Sequence, residues 1–75
     1  MPRLLPLSVT DDERQKLEAW VRRPKSAQRI ALRSRIVLAA ADHLSNTAIA
    51  EQLHITPPTV GKWRQRFLDD RLEGL

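Results

Sequence analysis

The chain has no cysteine, two histidines and no long apolar run, and each absence removes a class of function. Without cysteine there is neither a disulfide framework nor a thiolate-bound metal. A zinc site on His43 and His54 would need carboxylates that stand at unsuitable spacings. Both histidines therefore read as structural or surface residues, and no metal is expected. The most apolar stretch, Ile36 to Ala41, is far too short to cross a bilayer. The N-terminal segment MPRLLPLSVTDDER turns acidic after a few residues and lacks the apolar core of a secretory signal. A cytoplasmic protein without a membrane partner is the expectation. Alternating strand patterns and internal repeats are missing too, which leaves an all-α chain. At 75 residues it holds one domain at most, and such a domain buries only roughly 60% of the surface its unfolded chain exposes.

What is present is positive charge, unevenly spread. The formal net charge is +4. Residues 1–24 carry five Lys/Arg against four Asp/Glu, residues 25–44 four against one, and residues 45–75 four against four. The last block still hides a focus, because Lys62, Arg64 and Arg66 precede Asp69, Asp70 and Glu73. A basic excess with a local cationic segment points to a polyanion, although scattered cations on a small domain also form ordinary solvated faces.

Helix signals divide the chain into four. Residues 1–9, punctuated by Pro2 and Pro6, read as an extended N-terminal arm. Thr10 to Glu13 fits a capping box, and the helix it opens runs to about Arg23 with Leu17, Trp20 and Val21 on one face. Asp11 and Asp12 suit its positive end, Arg22 and Arg23 its negative end, and Pro24 stops it. Ser26 can cap a second helix, Ala27 to about Asp42, apolar around most of its girth and so the central one. Arg29, Arg33 and Arg35 break that pattern. They read as arginines snorkelling at the bundle edge in preference to phosphate contacts. Ser45 can cap a third helix, Asn46 to Leu53, with Ile49, Ala50 and Leu53 inward. His54-Ile55-Thr56 forms a turn. Thr56 then caps a fourth helix whose first two positions are Pro57 and Pro58, where a missing N–H costs nothing.

The last two helices form a helix-turn-helix at about 45–70, inside a helical domain spanning 10–75. A step of about 100° per residue puts Val60, Trp63 and Phe67 in one narrow arc, with Leu68 at its margin. The opposite arc collects Pro58, Gly61, Lys62, Gln65 and Arg66. Lys and Arg reach phosphates or guanine acceptors, and Gln can pair with adenine through both its acceptor and its donors. Thr59 flanks the start of this face, where recognition helices meet base edges. These six residues, Pro58, Thr59, Gly61, Lys62, Gln65 and Arg66, are the candidate base readers. Ser45, Asn46, Thr47 and Thr56 are candidate phosphate ligands at helix starts. Arg64 lies nearer the core side, where it braces the domain or touches the DNA backbone. Gly61 either permits close approach to DNA or is simply tolerated at a cost of roughly 1 kcal/mol. Arg3 could enter a minor groove or belong to a disordered tail. His54 occupies a turn position suited to a left-handed residue, which histidine adopts at some strain.

Leu44-Ser45-Asn46, Ile49-Ala50, Leu53, Thr59-Val60, Lys62-Trp63, Arg66-Phe67 and the closing Leu72-Glu73-Gly74-Leu75 resemble the N-terminal DNA-binding region of bacterial insertion-sequence transposases of the mariner superfamily. Gln28-Arg29 and Arg33 to Leu38 match that pattern as well. The resemblance implies a small homeodomain-like or paired-like helix-turn-helix bundle that binds terminal inverted repeats in double-stranded DNA. It also leaves room for a homodimer, since such enzymes act on paired DNA ends. In that family a separate ribonuclease-H-type domain cuts DNA with acidic residues and magnesium. Asp69, Asp70 and Glu73 crowd one helix end and do not supply that site. No spacing suggests a catalytic triad either. The expectation is a chain without catalytic residues, cofactor or small-molecule substrate. A helix-turn-helix transcriptional regulator and a helical dimerisation module are the competing readings.

Overall fold

The computed structural model describes residues 7–23 and 28–75. Expectations that rest on Pro2, Arg3, Pro6, Pro24, Ser26 and Ala27 lie outside the described residues. Four helices follow in order: α1 Asp11–Arg22, α2 Gln28–Ala41, α3 Asn46–Leu53 and α4 Pro57–Asp70, closed by a short 3-10 helix, Arg71–Gly74. No strand occurs among the described residues, and no helix there is long and apolar enough to cross a membrane.

The capping box of α1 is present in both halves. Thr10 Oγ1 accepts from the Glu13 N–H at 3.1 Å, and Glu13 Oε1 accepts from the Thr10 N–H at 2.9 Å. Two of the donors that a helix start leaves orphaned are thereby satisfied. Leu17 turns fully inward from α1, while Trp20 and Val21 remain half-buried. α2 packs against each of the other three helices, the central place its apolar girth requires. It buries Ile36, Val37 and Ala40, together with Ser34, whose hydroxyl donates to the Ile30 carbonyl at 2.7 Å and so carries no unmet polar group inward.

Ser45 caps α3 through the Ala48 N–H at 3.1 Å. The helix ends on His54 with φ 58 and ψ 44, the left-handed conformation the turn needs. The Ile55 N–H then closes back onto the Ala50 carbonyl at 3.0 Å, a Schellman-type ending. Thr56 differs from expectation. It occupies the N-cap of α4, but its side chain caps nothing and shares a 2.9 Å hydrogen bond with the Thr59 hydroxyl instead. The reason lies in the two prolines. Pro57 and Pro58 bring no N–H to cap, and the next two donors, Thr59 and Val60, already reach the Thr56 carbonyl.

The arm also differs in part. Leu7 is only 4% exposed, Val9 packs against the core, and the Ser8 carbonyl accepts from Arg71 Nη2 at 3.0 Å. Residues 7–9 are non-helical, as expected, but they are anchored. Their anchor is Arg71, which also grips Glu13 of the capping box through Nη2–Oε1 at 2.6 Å and Nε–Oε2 at 2.9 Å. The Arg71 guanidinium lies 4.4 Å from the centre of the Phe67 ring. One side chain thus fastens the arm, α1 and the end of α4 together.

Candidate nucleic-acid interface

α4 is held by one face and shows the other. Val60 and Phe67 are fully buried, and Arg64 joins them at 7% exposure. Pro58, Lys62, Gln65 and Arg66 are exposed on the opposite side, and Thr59 is half-buried on the flank. The periodicity therefore sorts four of the six candidate base readers onto one open surface. Gln65 is not idle there. Its Nε2 donates to Asp69 Oδ1 at 3.0 Å, one turn further on. That bond leaves Oε1 and the second amide hydrogen available, and Asp69 fixes the orientation in which they are offered.

Gly61 stands apart from the other candidates. It is half-buried, and a β-carbon there would meet Asn46 Nδ2 at 3.6 Å, an ordinary contact. The residue lies at the junction of α4 with the start of α3, not on the open face, because its position a quarter-turn from Val60 falls under α3. Asn46 is the other side of that junction. Its Oδ1 is out of solvent and has no hydrogen-bond partner among the described residues. The Asn46 side chain thus turns toward α4, away from the open start of α3. Ser45 and Thr47, both exposed, flank it.

Arg64 lies on the core side of α4, as its place on the helix led one to expect. Burial pushes its guanidinium down from the usual arginine range, as happens when a cation loses solvent. A position buried to this degree suits the bracing role. Trp63, expected in the core, is half-buried at the core's edge. Arg33 of α2 covers it, with the guanidinium 3.7 Å from the ring centre, while Lys62 Nζ lies at 5.0 Å and the Arg66 guanidinium at 6.0 Å. Cations within about 6 Å of an indole face are attracted by its quadrupole. Arg33 also donates through Nη1 to the Leu75 carbonyl at 2.8 Å. In the sequence, Arg33 stands at the bundle edge as one of three arginines, with no signal to separate it from Arg29 and Arg35, which are exposed.

A half-buried short helix, a left-handed turn and a second helix with one buried face and one cationic face make a helix-turn-helix. The homeodomain-like domain family matches residues 27–75, well over half of the chain. The chain belongs to that family. No curated protein matches it, and no solved structure does. The homeodomain-like match covers α2, α3, α4 and the closing 3-10 helix, and so includes the cationic face of α4. α1 and its capping box precede the matched residues.

Proposed function

We propose that this homeodomain-like domain binds double-stranded DNA sequence-specifically, with α4 in the major groove, and recognises the terminal inverted repeats of a mobile element for a transposase. The observation that carries the DNA reading is the exposure of Lys62, Gln65 and Arg66 on the face opposite Val60 and Phe67. A rigid helix anchored on one side and cationic on the other has the width and the donors to read base edges in the major groove. Ser45, the Asn46 N–H and Thr47 then lie at the start of α3, where phosphate contacts set the register and carry no sequence information. The transposase assignment rests on the resemblance of the Arg33–Leu38 and Leu72–Leu75 segments, and it implies a binding module without catalysis of its own.

Selection of bound sequences from a random duplex pool tests both levels. A single recovered motif supports sequence-specific reading, and a motif matching an element's end supports the transposase role. Gln65→Ala and Arg66→Ala should each relax the preference, at roughly 1–3 kcal/mol for every bidentate pairing with a base that the truncation removes. Unchanged affinity and preference in both variants would show that α4 does not read through this face.

A further inference from the structure

The cations around Trp63 come from two helices. Arg33 stacks on the ring from α2, and Lys62 and Arg66 approach it from α4. Among the described residues no Asp or Glu side chain lies within ion-pair distance of these three side chains. Arg33 is half-buried and oriented by two contacts, the indole beneath it and the Leu75 carbonyl beyond it. Only one of its five N–H donors is used by that carbonyl. Lys62 and Arg66 are exposed beside it. Three positive groups within 6.0 Å of one ring centre concentrate positive potential on this flank of α4, which attracts an anion.

We propose that Arg33 acts as a phosphate clamp on the flank of α4, with Trp63 as its floor, and that it grips the DNA backbone beside the groove that α4 reads, where Lys62 and Arg66 add positive potential. The proposal rests on the DNA-binding reading above and adds α2 to the interface. Arg33 is a positioned ligand here. Its planar fork suits two phosphate oxygens, and the stack on Trp63 sets the plane before DNA arrives, so less freedom is lost on binding. The clamp carries affinity and register but no sequence preference.

The full chain is titrated with a short mixed-sequence duplex over a range of salt concentrations. Arg33→Gln should reduce the log–log salt slope by about 0.9, the value for one phosphate released, while leaving the order of preferred sequences unchanged. Arg33→Lys, which keeps the charge, should hold the slope near wild type. A slope unchanged in Arg33→Gln overturns the clamp. If the wild type binds no duplex at all, the DNA reading falls and the clamp with it, so the two failures are distinct.

Should Arg33→Gln fail to fold, the wild-type chain still decides the matter by NMR. The Arg33 Nε–Hε resonance should move on adding duplex, and an unmoved resonance under saturating DNA overturns the proposal. Inorganic phosphate at matched ionic strength is the second arm. A shift as large as that given by duplex would make this a free-anion site and refute its assignment to the DNA backbone.

Discussion

Gly74 shows how a single residue can matter for reasons no local pattern reveals. A β-carbon there would collide with the Arg66 carbonyl and crowd Asp70, so only glycine lets the closing turn fold back on the end of α4. Gly74→Ala should therefore displace the 3-10 helix and destabilise the domain by about 1–3 kcal/mol, the range for forced overpacking. Equilibrium urea denaturation measures it, and a loss below a few tenths of a kcal/mol would mean that the turn shifts freely. The side chains legible in advance were those governed by short-range rules. Val60 and Phe67 follow from helix periodicity, and His54 follows from the turn between two short helices. Arg33 and Arg71 were not legible, because each is placed by partners far along the chain, Trp63 and Leu75 for the first, Ser8 and Glu13 for the second. Nothing in the spacing of a lone arginine announces a partner 42 or 58 residues away.

At the scale of elements, the cap of α1 doubles as a tie to the opposite end of the chain. The Glu13 carboxyl, ordinarily near 4.5, is held down to about 2, foremost by the hydrogen bond from the Arg71 side chain and against the opposing effect of burial. Arg71 is shifted upward by the same bond. Because the folded carboxyl is the stronger acid, the unfolded chain binds more protons in the intervening range. The stabilisation is complete above about 4.5 and is lost as pH falls through about 2. Arg71 is 42% exposed, so solvent screening keeps the contribution near roughly 1 kcal/mol despite the paired geometry. Glu13→Gln should lower stability at neutral pH by about that amount and flatten the acid limb of the stability curve. Parallel acid limbs for the variant and the wild type, by chemical denaturation across the acid range, would reject the tie. The element boundaries themselves were legible, since Thr10, Ser45 and the prolines of α4 mark helix starts in the sequence as in the structure. What the sequence could not show was that Thr56 would have no donor left to cap, or that α3 would cover Gly61.

For the whole molecule, the question is whether the helix-turn-helix stands without α1. The homeodomain-like match begins at residue 27, yet the core does not. Leu7 and Leu17 are 4% and 0% exposed, and Leu17 belongs to the same buried cluster as Ile36 and Val37. Removing the two leucines forfeits roughly 1.5–3 kcal/mol of burial for each. It also opens one flank of α2 to water and deletes the Glu13 partner of Arg71. A domain of this length holds a total stability on the order of 5–10 kcal/mol. The loss is therefore comparable with everything that keeps the chain folded. A fragment covering residues 27–75 should be largely unfolded at 25 °C, with far-UV circular dichroism showing shallow, non-cooperative melting. Added duplex should restore part of its helicity, because a ligand that binds only the folded form draws the equilibrium toward it. A cooperative melt for the fragment within a few degrees of the full chain would show that α1 is an appendage and that α2, α3 and α4 suffice. The result also bears on the reading helix: α4 rests on α2, and α2 on α1, so an unsupported α2 would leave Arg33 and the Trp63 face without a fixed position.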